Sequence, residues 1–484
     1  MTSDIRTRSR AMPLALTAIV IGGAVLRLWG LGSSPLNFDE SFTAMAGRLP
    51  LGGMFDFLRA HDSHPPLDYL LQLPLARAGA SPFVFRLPAV ACSIGALALF
   101  AWWMRGRALV GIVATAAMAV CAFQIAHGRE ARMYAVMELI GVAIAVTAES
   151  WLRAPRRRHA AVIGALVFAG LMTHVSMFLA AVGLLAVAGR RNDRDAWRWR
   201  AGIGAGIGAW ALAWGPSFLV QARGGHSSWI PHTTVTRFID TISNLVTFQS
   251  GVGLLVCAAI GAGIVICRRR DATLATVVTC CFVVPVVLAG IVGLRAPVLL
   301  DRTLTVVAWA PLLALGYAVD ALARRASLVG AVAAALVLAV MVPTAVHTIT
   351  TPSAPTVELT ELERLARPGD VIAVQPASKG IELYWTLGIR SDDGATRAVQ
   401  IVGLKQSIAL ELDSRPATGR IWLIQYVARP IGLAHFRTCA PTWHHGATRL
   451  LCIDRSSVSI IQGAAPSIPM IYVPGPTTST TRPK

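Results

Sequence analysis

Apolar residues run along this chain in long unbroken stretches, separated by short clusters of arginine. A run of about 20 apolar residues can cross the hydrocarbon core of a bilayer. Such runs fall at roughly 12–30, 84–103, 108–126, 133–151, 201–221, 248–267, 272–293, 303–322 and 327–347. The stretch 160–189 is too long for one span and short for two. It reads as a hairpin turning near Thr173 and His174, because only then do all the basic clusters share one side of the membrane. Those clusters are Arg6/Arg8/Arg10, Arg105/Arg107, Arg153 with Arg156 to Arg158, Arg190 to Arg200, Arg268 to Arg270 and Arg324/Arg325. The pattern predicts about eleven membrane helices, an N-terminus inside and a C-terminus outside. The first helix, with its basic flank, would serve as an uncleaved signal anchor.

From residue 350 the pattern changes. Segment 358–370 (ELTELERLARPGD) has the spacing of an amphipathic helix ended by Pro368-Gly369. Short β-type runs follow: VIAVQP (371–376), AVQIVGL (398–404), GRIWLIQYV (419–427) and RLLCID (449–454). The expected fold is a polytopic α-helical membrane protein with a small extracytoplasmic α/β domain at its C-terminus. Its expected parts are a membrane domain over 1–349, in which the first outer loop (31–82) carries interfacial helices, an α/β domain over 350–462, and a disordered tail over 463–484.

Composition agrees. With 55% apolar and 14% charged residues, against about 25% charged in ordinary soluble domains, neither a soluble globule nor a disordered chain fits. The net charge of +19 is first of all a topology signal, and it calls for no nucleic-acid partner. Cys92, Cys121, Cys257, Cys280 and Cys281 lie in apolar spans, and Cys267 sits at a span's inner end. Cys439 and Cys452 are the pair in the external domain, where oxidation is permitted, so a disulfide is expected there. A zinc site with His444 and His445 is the competing reading, at a spacing that is not a standard one.

Polar chemistry concentrates on the predicted outer face. The first outer loop contains NFDESFTA (37–44) and HDSHPPLDYLL (61–71). Asp39 and Glu40 could act as a general base or as metal ligands; equally, Asp39 could N-cap a helix whose positive end Glu40 favours. Asp62 and His64 are candidates for lining a cavity, and a histidine before two prolines is also a common turn residue. In HGREARMY (127–134), Arg129 and Arg132 stand at the mouth of two helices, with Tyr134 beside them. That suits phosphate recognition, and it also suits snorkelling to lipid headgroups. Glu138 is an ionisable group within a span, either functional or paired with Arg132 or Arg27. The loop LRAPVLLDR (294–302) adds Arg295, Asp301 and Arg302, and His174 faces the same side. Acids facing arginines on one membrane face suit an anionic lipid-linked substrate. A transporter or flippase of lipid-linked sugars is the competing class, but no internal repeat supports it.

The segments FDESFTA, HPPLDYLL, GREARMYA, THVS, LLDRTL with APLLALG, and ARPGDVIAV resemble the GT-C superfamily. More narrowly, they resemble its polyprenyl-phosphate-sugar-dependent protein-mannosyltransferase and aminoarabinose-transferase-like family. The resemblance runs in order over most of the chain. It implies inverting transfer of a sugar from a polyprenyl monophosphate to a protein, lipid or glycan acceptor outside the cytoplasm. By the same resemblance Asp39 is the base and Glu40 positions the acceptor or binds a divalent cation, with His64 a second possible ligand. Arg129, Arg132 and Arg302 hold the carrier phosphate, while Asp62, His64, Tyr134 and Glu138 line the cavity or acceptor path. Two positions depart from the family's pattern: Asp68 follows HPPL where an aromatic often stands, and Thr303 follows the late arginine where tyrosine does.

Overall fold

The computed structural model describes residues 2–223, 230–249, 251–296 and 298–351, then 361, 364–365, 371–375, 400–403, 409–412, 420–425, 438–439, 443–445, 448–453 and 459–462. The expected tail from 463 lies outside the described residues, as does most of the expected helix at 358–370, of which Glu361, Arg364 and Leu365 are helical.

Helices dominate up to Thr351. In chain order they are α1 (Thr2–Leu28), α2 (Phe38–Arg48), α3 (Leu51–His61), α4 (Leu67–Arg77), α5 (Pro82–Met104), α6 (Ala108–Val120), α7 (Ala122–Gly128) and α8 (Tyr134–Arg153). There follow α9 (Arg157–Thr173), α10 (Met177–Ala188), α11 (Arg194–Arg223), α12 (Val235–Asn244), α13 (Gly253–Arg270) and α14 (Ala272–Val278). A π-turn over Thr279–Val283 leads into α15 (Val284–Gly293), and a 3₁₀ segment over Asp301–Val307 leads into α16 (Trp309–Arg325) and α17 (Ser327–Thr350). The chain forms two compact units. One comprises Met1–Leu31, Leu51–Gln72 and Phe83–Thr351, and the other Gly32–Pro50, Leu73–Pro82 and Pro352–Lys484.

Among the described residues six helical stretches of the first unit are long and apolar enough to cross a membrane, or up to eight if the bent pairs α6–α7 and 3₁₀–α16 each count as one span. Among the described residues each of the eleven predicted stretches falls on helix, and 160–189 is two helices, breaking at His174. The shortfall against eleven has a physical cause. Helix α10 has 12 residues, about 18 Å at a rise of about 1.5 Å per residue. Helix α9 has 17, and α13 carries Arg268, Arg269 and Arg270 in its last turn.

Close approaches fix the packing around the bend in α6–α7. Helix α6 stops at Val120, and its orphaned carbonyls need donors. Arg27 of α1 supplies them, donating to Ala119 O at 3.2 Å and Met118 O at 3.4 Å, while its Nε donates to Ser93 Oγ of α5 at 2.8 Å. Gly141 lets the 3₁₀ segment lie directly on α8, since a Cβ there would fall 1.9 Å from Val306 O. At the arginine-rich helix ends, Glu149 accepts from Arg107 at 2.5 Å and from Arg153 at 2.7 Å, and Arg153 continues to Asp271 at 2.7 Å. These arginines therefore staple α5, α8 and α14 together as well as signalling topology.

In the second unit, Gly47 brings α2 against the end of α4, where a Cβ would meet Ala76 at 2.6 Å. Seven strands follow: β1 (Val371–Gln375), β2 (Gln400–Gly403), β3 (Ala409–Leu412), β4 (Ile421–Gln425), β5 (Trp443–His445), β6 (Thr448–Ile453) and β7 (Ser459–Gln462). Five form a sheet in the order β2-β1-β4-β6-β5, and β3 pairs with β7. Strand β1 runs parallel to both β2 and β4, whereas β6 is antiparallel to β4 and β5. Ile421 to Ile424, Leu450 and Leu451 bury the centre of this sheet. The four expected strands are β1, β2, β4 and β6. The others, three or four residues each, carry too short a pattern to register. Cys439 and Cys452 are joined in a disulfide, with Cα atoms 5.2 Å apart, which removes both thiolates from any zinc site.

Candidate active site

The turn between α3 and α4 builds the polar centre of the first unit. Pro65 and Pro66 prevent the helix from continuing, and Asp62, buried in the turn, gathers its neighbours. Its Oδ1 lies 2.6 Å from His64 Nδ1, and its Oδ2 accepts from the Tyr69 hydroxyl. Arg132 Nη1 donates to that same hydroxyl at 2.9 Å, with the guanidinium 5.6 Å from the Tyr69 ring centre. Arg132 Nη2 also lies 3.3 Å from His64 Nδ1. One imidazole nitrogen cannot donate and accept at once, so the shorter contact places the proton on Nδ1, shared with Asp62. Gln221 of α11 holds the turn from outside, donating to Leu58 O at 3.0 Å and His64 O at 3.3 Å.

A second histidine completes the group. His174, at the α9–α10 break, packs its ring 5.0 Å from that of His64. Its Nδ1 accepts from Ser176 N at 3.0 Å, which leaves the hydrogen on Nε2. Burial, then the charges of His64, Arg132 and Arg302, push its pKa well below the ordinary value. His174 is neutral.

Electrostatics divide the acids. Burial would raise Asp62, but His64, Arg132 and Tyr69 outweigh it and hold the carboxyl well below its usual range. Asp68, in the first turn of α4, is pushed up to about 6 by burial, against Arg132 and with the help of Glu130 and Asp62. Two carboxyls beside one guanidinium are thus driven apart.

The remaining candidates fall into three places. Arg302 lies over the Tyr134 ring at 5.9 Å, and the His127 ring packs 4.9 Å from that of Tyr134. The approach at Gly141 is what carries the 3₁₀ segment, and Arg302 with it, to the head of α8. Arg129 stands instead near Arg86 of α5. Its Nη1 is buried without a hydrogen-bond partner, and burial together with the Arg86 charge lowers its pKa. Arg86 donates to Leu31 O at 2.7 Å. Glu138 lies in a buried network: Ser93 donates to it at 3.2 Å, and Gln124, with its amide turned nitrogen-inward, donates at 2.6 and 3.0 Å. Its link to Arg27 runs through Ser93.

In the second unit Asp39 and Glu40 open α2. The cap is Asn37, not Asp39: Asn37 Oδ1 accepts from Glu40 N at 2.9 Å, and Glu40 Oε2 accepts from Asn37 N at 2.9 Å. This reciprocal box needs an acceptor at the cap and a Glu three residues on, so it engages Glu40 and leaves Asp39 outside the capping. Among the described residues no group of three His, Cys, Asp or Glu is placed to hold a metal ion. Glu40 and His64 are each held in hydrogen bonds within the chain, to Asn37 and Asp62.

Sequence reasoning missed Tyr69, Gln221, Arg86 and the Ser93–Gln124 pair. Tyr69 lies within HDSHPPLDYLL, beside the polar residues that mark that segment. Gln221 and Ser93 carry no local signal, since their partners lie far along the chain.

A polytopic helical bundle with a C-terminal mixed sheet, carrying Arg132, Arg302, His64 and His174 in its first unit, has the GT-C type of fold. Crystal structures of ArnT from Cupriavidus metallidurans share it. The apo form matches at TM-score 0.53 and 13% identity over 92% of this chain and 98% of that one. The form bound to undecaprenyl phosphate matches at TM-score 0.52 and 13% identity over 92% and 99%. No protein-family model and no curated protein matches the chain.

Proposed function

We propose that this protein is an inverting glycosyltransferase that moves a sugar from a polyprenyl monophosphate to an acceptor on the extracytoplasmic side of the membrane. The observation that carries the reading is the grouping of Arg132 with His64 and Tyr69, and of Arg302 with Tyr134, in a fold shared with ArnT. One ArnT structure holds undecaprenyl phosphate, and the same class of carrier suits this arginine group. In this reading the N-terminus is inside and the sheet-bearing segment outside.

Each group has a role in the transfer. Arg132 and Arg302 hold the carrier phosphate and stabilise the charge that grows on it as it leaves the anomeric carbon. Tyr69 and Asp62 fix Arg132, and Arg129 adds a further guanidinium for the carrier phosphate. Asp39 removes the proton from the attacking acceptor. Inversion needs one such base and no covalent sugar intermediate. Glu40 secures the start of α2, and so the position of Asp39.

The test is incubation of purified protein with a panel of polyprenyl-phosphate sugars, followed by mass spectrometry of candidate protein, lipid and glycan acceptors. Sugar appearing on an acceptor, with release of polyprenyl monophosphate, is the expected result. Movement of an intact lipid-linked sugar across vesicles, without transfer, would mark a flippase instead.

A further inference from the structure

Helix α4 carries two buried acceptor oxygens that its surroundings leave unanswered. Asp68, in the first turn, is 3% exposed, and its Oδ2 is sealed off without a hydrogen-bond partner. Gln72 is 1% exposed and leaves its Oε1 in the same state. Residues four apart lie over one another on a single helix face. A buried acceptor with no donor keeps its full desolvation cost, and here two occur one turn apart.

Their position suggests what the donor is. Tyr69, the next residue along, accepts from Arg132 at 2.9 Å, which places Asp68 one residue from the group that holds the guanidinium. If Arg132 grips the carrier phosphate, the sugar attached to that phosphate must lie beside the same guanidinium. A carboxyl offers two oxygens to paired hydroxyl groups, and hydrogen bonds to a charged acceptor are the stronger kind.

We infer that Asp68, together with Gln72, receives hydroxyl groups of the carrier-borne sugar, so that this face of α4 selects which sugar is transferred. The inference rests on the sugar-transferase reading above. The rival explanation is internal: a protonated Asp68 donates to Gln72, and the pair serves only the fold.

Binding to the purified full-length protein separates these. The ligands are bare polyprenyl monophosphate and a panel of polyprenyl-phosphate sugars that includes deoxy analogues; the variants are Asp68→Ala and the isosteric Asp68→Asn. Asp68→Ala should weaken binding of the preferred sugar-bearing carrier by about 10- to 100-fold. Binding of the bare carrier should stay within about 2-fold, since no bond to it is lost. Asp68→Asn, which keeps one acceptor oxygen and the side-chain volume, should lose less and should relax discrimination against deoxy sugars. Equal weakening of both ligands, or no change in sugar preference in either variant, overturns the inference while leaving the transferase reading intact. Failure of the unaltered protein to bind any polyprenyl-phosphate compound overturns both.

Discussion

The Tyr69 hydroxyl joins Arg132 to Asp62: it donates to the Asp62 carboxylate while accepting from Arg132 Nη1 at 2.9 Å. Removing that oxygen breaks both bonds at once, yet leaves the ring on which the guanidinium rests. Tyr69→Phe should therefore keep the fold and lower kcat/KM for the carrier by about 10-fold, the scale of one buried hydrogen bond to a charged group. Steady-state kinetics against carrier concentration check this, and an unchanged kcat/KM would show that Arg132 is positioned without Tyr69.

Asp39 and Glu40 are neighbours with different tasks. Asp39→Asn should reduce transfer by about 10²- to 10⁴-fold, the range of a positioned general base, with little change in melting temperature. Glu40→Ala breaks the box with Asn37 and should cost about 1 kcal/mol of stability. Melting curves and turnover measured on both variants separate the roles. Near-normal transfer by Asp39→Asn would remove it from the mechanism.

The arginines near the histidine pair and the acid in the bundle should also part company. Arg132→Ala and Arg302→Ala should lower use of the phosphorylated carrier by about 10²- to 10³-fold while leaving the acceptor KM unchanged. Glu138→Gln keeps the shape of its network with Ser93 and Gln124 and should change carrier use far less. An equal loss in all three variants would point to collapse of the bundle.

Asp68 gives the protein a pH signature. Its carboxyl is raised from 3.8 to about 6, so the folded state favours the protonated form. That contribution to stability is complete below about pH 4 and is lost as pH rises through about 6. Its ceiling is about 3 kcal/mol, from about 1.4 kcal/mol per unit. Melting temperatures of Asp68→Asn should therefore gain on those of the unaltered protein between about pH 4 and 7. A difference that does not vary with pH would contradict the raised value.

Topology is open to labelling. In sealed membrane vesicles of known orientation, a cysteine placed at Val175, in the α9–α10 break and partly exposed, should react only from the extracytoplasmic side. One placed at Asp193 should react only from the cytoplasmic side. The reverse result at Asp193 would invert the arrangement read from the arginine clusters.

The linear pattern of this chain settled the membrane class, the positions of its long helices, the hairpin at His174 and four of the seven strands. These depend on hydrophobic runs and turn residues that act locally, whatever lies elsewhere in the chain. It also marked Arg132, Arg302 and His64, because charged groups at the ends of apolar spans are conspicuous one at a time. Tertiary structure decided which of them meet. Only the fold brings Tyr69 between Asp62 and Arg132, sends Arg129 to Arg86, draws Glu138 into the Ser93–Gln124 network, and leaves Asp68 buried beside a guanidinium. It also reassigned the cap of α2 from Asp39 to Asn37, since a cap depends on which side chain reaches a free backbone N–H. Pairings across tens of residues rest on close backbone approaches such as Gly141 with Val306, and a one-dimensional pattern of apolar and polar positions carries no record of those.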